Sequence, residues 1–356
     1  MTNRLRRRQG AAALLALGAA ILGVVTGCMW LGGPEAVISA STTAGVVSLT
    51  VAFDGAGSTA PAEISRFVWD PGDGSAPLTG AAVEHTYHHA GSFEATLTVV
   101  TVAGRSDTAT IAIEVGPAVW TADRNLDRLY KLGLDGTEIA RFDLPVSDPA
   151  GVAIGETAGR LWVYVACYGG GNQRVLRVDP TTGAVDSEFS APGGDPQAIT
   201  YADDEPKRLW HVDSLARSIY GLDRSSLQIL DRFGCSYFGA SEPFLRRPQG
   251  LAWTPAANAS GHLWYLEGET RRLHALRIVP AYDIMSNTQL ELLANPVELS
   301  QELFPVSGMD WYSGRLWVVS ADEHRIVEVD PATGAPTGRA ISGWQGANAS
   351  GLAIQQ

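Results

Sequence analysis

Cysteine is scarce in this chain: there are three among 356 residues, Cys28, Cys167 and Cys235. So sparse a set excludes a disulfide framework, and no Cys-x-x-Cys spacing offers a zinc or dithiol site. Charge is also thin, at 18% of residues, and the basic side is the smaller, 26 against 38 acidic residues. Such a balance leaves no broad basic surface for nucleic acid, so no nucleic-acid partner is expected. A nucleophile elbow, a His-Glu-x-x-His helix and a P-loop are missing, so none of those chemistries is written as a local motif. After residue 30 no apolar run is long enough to span a bilayer.

What is present begins with a leader. Arg4, Arg6, Arg7 and Arg8 precede an uncharged apolar run from Ala11 to Val25. That run is shorter than the roughly 20 residues of a membrane span and reads as a secretory signal. It ends in Val25-Thr26-Gly27-Cys28, which resembles the lipobox of bacterial lipoproteins. The resemblance implies a signal peptide over 1–27, cleavage before Cys28 and lipidation of that residue, palmitate being one such acyl chain. Two or more acyl chains give stable membrane anchoring. Gln9-Gly10-Ala11 lacks the apolar pair expected after a twin-arginine signal, which favours the general secretory route. The expected location is the bacterial cell envelope, and the outer membrane where there are two membranes, because Met29 is not an Asp. Without residues 1–27 the body holds 22 basic and 38 acidic residues, a formal balance of −16.

After the linker 28–33, residues 34–115 alternate short β-rich runs with turns, as in "VVSLTVAF", "VEHTYH" and "TATIAIEV". This spacing predicts a small β-sandwich. Within it, "VWDPGDGS" and "HTYHHAGSFEATLTV" resemble the PKD domain, with Pro71 where that family carries an aromatic residue. The resemblance implies an extracellular spacer or adhesive module without catalytic residues. Trp69 and Tyr87 are expected in its core. Asp70 and Asp73 read either as cation ligands or as acceptors for the amides of their own turn. His85, His88 and His89 read either as a metal cluster or as one strand residue followed by two loop residues.

From 116 to 356 the pattern changes to a repeat. The stretch "GRLWVVSADEHRIVEVDPATG" has counterparts at Trp120, Trp162, Trp210 and Trp264 besides its own Trp317, at intervals of 42, 48, 54 and 53. Short runs beginning near Gly151, Gln197, Gly250, Gly308 and Gly351 alternate with these units. Periods of this length predict β-propeller blades, five in preference to six, with the C-terminal strand completing the first blade and closing the ring. The repeat resembles NHL-like and YVTN-like bacterial propellers. The whole chain is thus expected to be all-β.

Strand alternation places the loops leading into the inner strands on one face with the turns after the Trp strands. That face is expected to gather Asp123, Asp213, Glu267 and Asp322. They read either as a site for a divalent cation such as calcium, of the kind seen in propeller lactonases, or as partners of the arginines Arg217, Arg271 and Arg325 that follow. The second unit carries Cys167 and "YGGGN" instead. The lead-in insertion "FGCSYFGASEPFLRRPQG" bears Tyr237, Phe238, Phe244, Arg246 and Arg247. Aromatic and guanidinium groups on a loop suit a glycan, a carboxylate or a protein edge, or else form the loop's own core. Cys167 and Cys235 are a candidate disulfide if their Cα atoms lie within about 7 Å.

"VDPTTGAV" and "VDPATGAP" resemble the turn of quinoprotein dehydrogenases but lack its docking Trp. "PQGLAW" alone suggests a glutaminyl cyclase. Two readings of function follow. One is a lipid-anchored binding or scaffold protein whose loop face engages an envelope protein or glycan. The other is a metal-dependent propeller enzyme, lactonase- or lyase-like.

Overall fold

The computed structural model describes residues 32–202, 208–234, 248–255, 262–280, 288–293, 296–321, 323–346 and 348–356. Among them the regular elements are strands and two short 3₁₀ turns, Gly169–Gly171 and Gln301–Leu303.

The N-terminal unit is a sandwich of two sheets. Ser39–Ala40, Leu49–Asp54 and Ala82–Tyr87 form one, and five strands centred on Gly91–Thr101 form the other. Alternation decides what lies inside. In Leu49–Asp54 the side chains of Val51 and Phe53 are buried while Thr50, Ala52 and Asp54 face out. Val51, Phe53, Trp69, Tyr87, Leu97 and Ile113 fill the space between the sheets. Burying each such side chain contributes on the order of 1.5–3 kcal/mol. The polar ends of the aromatics find partners: Trp69 Nε1 donates to Gly80 O at 2.9 Å, and the Tyr87 hydroxyl to Pro71 O at 3.0 Å.

The described residues of 118–356 form five four-stranded antiparallel sheets, one of them extended by a short extra strand. Each inner strand pairs with its blade's Trp-bearing strand: Pro149–Thr157 with Arg160–Cys167, Pro196–Ala202 with Arg208–Asp213, and Pro248–Thr254 with His262–Glu267. Val306–Tyr312 pairs with Arg315–Ser320 in the same way. In the first blade, Ala118–Asp123 takes its inner partner from the C-terminus, Ala349–Gln355. The ring is therefore closed as the repeat predicts. The long insertion does not supply a sixth sheet among the described residues: Thr288–Leu292 and Val297–Glu298 both pair with Arg272–Pro280 of the fourth blade.

The five inner strands neighbour one another around the axis. Small residues permit this approach. A Cβ on Gly308 would stand 2.7 Å from the backbone of Gly351, and one on Gly151 would stand 2.8 Å from that of Ala198. Gly151, Gly308 and Gly351 thus mark where neighbouring strands come into backbone contact.

The sandwich leans on the propeller at the end where Ala118 begins. Ala118 is buried in the sandwich core, and Lys131 Nζ donates to Val47 O at 2.7 Å. Burial lowers the Lys131 pKa to about 8.

Candidate functional site

The opposite face, where the inner strands begin, is the face on which the sequence places its acids. Asp123 is fully buried. Its Oδ1 accepts the amides of Asn125 and Leu126, each at 2.9 Å, and its Oδ2 accepts that of Asn348 at 2.9 Å. Asp213, equally buried, accepts Asp195 N and Ala216 N, each at 2.6 Å. Glu267 accepts the Thr270 hydroxyl at 2.5 Å and stands 3.9 Å from His274 Nε2. Asp123 and Asp213 each close the turn after a Trp strand and clamp the segment leading into the inner strand.

Two expectations are corrected here. Among the described residues, Asp213 and Glu267 do not pair with Arg217 and Arg271, the arginines that follow them. Arg271 instead pairs with Glu298, and Arg325 with Glu323. Asp127, Arg217, Arg271 and His324 end these turns at φ of 52°, 45°, 59° and 48°. A residue in that left-handed conformation leaves the turn in a new direction while the acid stays over the turn's amides. The second correction is one of register. The residues opposite the first inner-strand positions are Asp123, Cys167, Asp213, Glu267 and Ser320. The fifth blade thus places Ser320, not Asp322, at the equivalent point, and Asp322 lies outside the described residues. Among the described residues no three His, Cys, Asp or Glu side chains come together in a metal-holding group. Asp123, Asp213 and Glu267 each serve a separate turn.

Cys167 is buried with Trp120, Leu129 and Val152 between the first two blades, and burial pushes its thiol up to about 12. Cys28, Cys235, Tyr237, Phe238, Phe244, Arg246 and Arg247 lie outside the described residues. In the sandwich, Asp70 accepts the Gly72 amide at 2.9 Å and Asp73 that of Ser75 at 3.0 Å. Gly72 and Gly74 take the positive φ, 83° and 84°, that this turn requires. Asp73 also meets His85 Nε2 at 2.7 Å. Burial alone would raise the Asp73 pKa, but the bonds from Ser75 and His85 outweigh it and the pKa is lowered. These groups complete a turn, whereas His88 and His89 are exposed.

A cavity of about 770 Å³ opens on the acid-bearing face, bounded by Tyr168, Asp195, Ser214, Leu215, Arg217 and Glu269. It draws on the second, third and fourth blades. Leu215 is 75% exposed there. Leu215 is not among the residues that the sequence patterns single out, although an apolar residue inside the polar turn "DSLARS" is a signal. Tyr168 and Asp195 carry no such signal, because nothing local tells a cavity wall from a loop.

Residues 33–115 match the PKD domain family. The PKD1 domain from the Vibrio cholerae metalloprotease PrtV is similar at 34% identity, over 23% of this chain and 96% of that one, with a TM-score of 0.21. A chain of the nidogen/laminin complex is similar at 14% identity, over 68% of this chain and 99% of that one, with a TM-score of 0.48. Kuenenia stuttgartiensis hydrazine synthase is similar at 13% identity, over 73% and 75%, with a TM-score of 0.37. No curated protein matches the chain. Residues 33–115 therefore belong to the PKD domain family, and the chain carries that domain ahead of a β-propeller.

Proposed function

We propose that this is a binding or scaffold protein of the cell envelope, tethered through lipid on Cys28, whose propeller presents its cavity-bearing face to an envelope protein or glycan. The observation that carries this reading is the polarity of the molecule. The PKD domain sits at the end where Ala118 begins, and the turns of Asp123, Asp213 and Glu267 lie at the other end of those strands. A tether preceding the PKD domain would leave the cavity face directed away from it. Exposed Leu215 beside Arg217 and Glu269 offers an apolar contact flanked by both charges, a composition that suits a partner surface. Asp123 and Asp213, two of the acids that an enzyme would need for a cation, hold turn amides, which favours binding over metal-dependent turnover.

The test is an affinity pull-down from the organism's envelope extract. It uses the full chain beside two folded variants, Leu215→Asp and the triple variant Tyr237→Ala, Arg246→Ala, Arg247→Ala. Material enriched by the native chain and lost with either variant is the expected result. Identical recovery by all three, or none by any, overturns the reading.

A further inference from the structure

The mouth of the propeller on the PKD side holds a second cavity, of about 580 Å³. Every blade contributes to it, and its polar and aromatic lining includes Glu156, Tyr201, Arg224, Trp253, Asp310 and Trp311. His88 and His89 reach its rim from the PKD domain. These are the two histidines left over when His85 completes its own turn. At the start of the inner strands, Gly151, Gly308 and Gly351 let neighbouring strands come into backbone contact.

Asp310 is the notable group on this wall. It lies on the inner strand Val306–Tyr312 between Met309 and Trp311, and its Oδ2 accepts the Ile354 amide of the neighbouring inner strand at 2.7 Å. Val152, Leu352 and Ala353 contribute apolar surface to the same lining. Burial raises its pKa to about 7 against the opposing pull of the Ile354 and Trp311 amides, and no charged side chain contributes. The other ionisable side chains of the lining are Glu156, Tyr201, Arg224, His88 and His89. The Arg224 guanidinium is 5.2 Å from the Tyr201 ring and donates to the Tyr201 hydroxyl, so it is engaged on the wall of the third blade. Trp311 is braced by Trp264, stacked at 5.6 Å between centroids.

We propose that this cavity binds an alkylammonium group, its N–H donors on the Asp310 carboxylate and its methylenes against the apolar part of the lining. A carboxylate among apolar walls has lost water and gains most from a ligand that brings both a positive charge and donors. The acidic balance of the chain, −12, draws cations toward it. Two sources present this chemistry, a free amine and a lysyl side chain of a partner.

The test is calorimetric titration of the full chain with n-butylammonium chloride and with Nα-acetyl-lysine amide, at pH 8 and pH 6, beside folded Asp310→Asn. Asparagine keeps the size and an oxygen for the Ile354 amide but not the charge. An acid titrating near 7 is about nine-tenths ionised at pH 8 and about one-tenth at pH 6, so native affinity is expected to fall about tenfold between them. Any pH dependence that remains in Asp310→Asn measures the part that Asp310 does not carry. The variant is expected to bind at least tenfold more weakly than native at pH 8. Binding of the first probe alone assigns the site to free amines, and binding of the second to a lysyl side chain as well. Equal affinity of native and variant at pH 8, or no binding of either probe to the native chain at millimolar concentration, overturns the proposal.

Discussion

His211 shows how a single residue makes this fold sensitive to acid. It is fully buried on the Trp strand of the third blade, stacked on Tyr220 at 6.0 Å, with Nε2 3.2 Å from Pro192 O. Burial lowers its pKa to about 4 in spite of the opposing pull of Asp213, and burial also lowers that of His274 to about 4. In the unfolded chain a histidine takes its proton near 6.5, so between about 6.5 and 4 the unfolded state binds more protons. The stability contribution is complete above that window and is lost as pH falls through it. Each histidine is expected to cost about 1.4 kcal/mol per pH unit there. Urea unfolding midpoints measured across this range, beside a His211→Gln variant with a shallower slope, check the expectation. Residue identity is legible in the sequence here, but burial is not, because it depends on the blades to either side.

At the scale of the element, four of the five inner strands carry a glycine near their start, and Ala198 holds that place in the third. Gly308 tolerates no Cβ, since the Gly351 backbone stands 2.7 Å from where one would be. Gly314, in the next hairpin, has φ of 77° and open space around it. Gly308→Ala is therefore expected to cost about 3 kcal/mol, by overpacking against backbone that cannot yield. Gly314→Ala is expected to cost about 1 kcal/mol, for conformation alone. Chemical denaturation of the two variants reads the difference, and equal losses would mean that the inner ring is looser than its contacts imply. Four of the five inner strands are legible in the sequence as short runs that start with glycine, and the third starts at Gln197. That the glycines face one another across blades is not, because the repeat gives the place of a residue within a unit and not its distance to the next unit.

For the molecule as a whole, stability depends on one late strand. Ala349–Gln355 pairs with Ala118–Asp123, and the Thr121 hydroxyl donates to Gly351 O at 2.9 Å across more than two hundred residues of chain. Leu352 and Ile354 share a core with Trp317, Val319 and Tyr130, which belong to the fifth and first blades. Deleting residues 349–356 would open the inner edge of the first blade and uncover both neighbours. The expected outcome is loss of the cooperative unfolding transition and aggregation, while a soluble chain with an unchanged melting temperature would show that closure is dispensable. Closure by the terminal strand is legible because the first unit lacks an inner run and the last inner run lacks a unit.

The sequence by itself determined the class of structure, since alternation, turn residues and repeat period are local quantities. It settled which residues begin a strand, which tryptophans recur and where the PKD turn lies. It also marked Asp123, Asp213 and Glu267 as ends of Trp strands. Only the tertiary structure decided what those acids do, because the amides of Asp195 and Asn348 reach them from chain segments that precede or follow by many residues. The same holds for Asp310, an unremarkable letter in "GMDW". Its environment is made by Ile354 and the apolar walls of other blades, and electrostatic character in a folded chain is set by what surrounds a group in space.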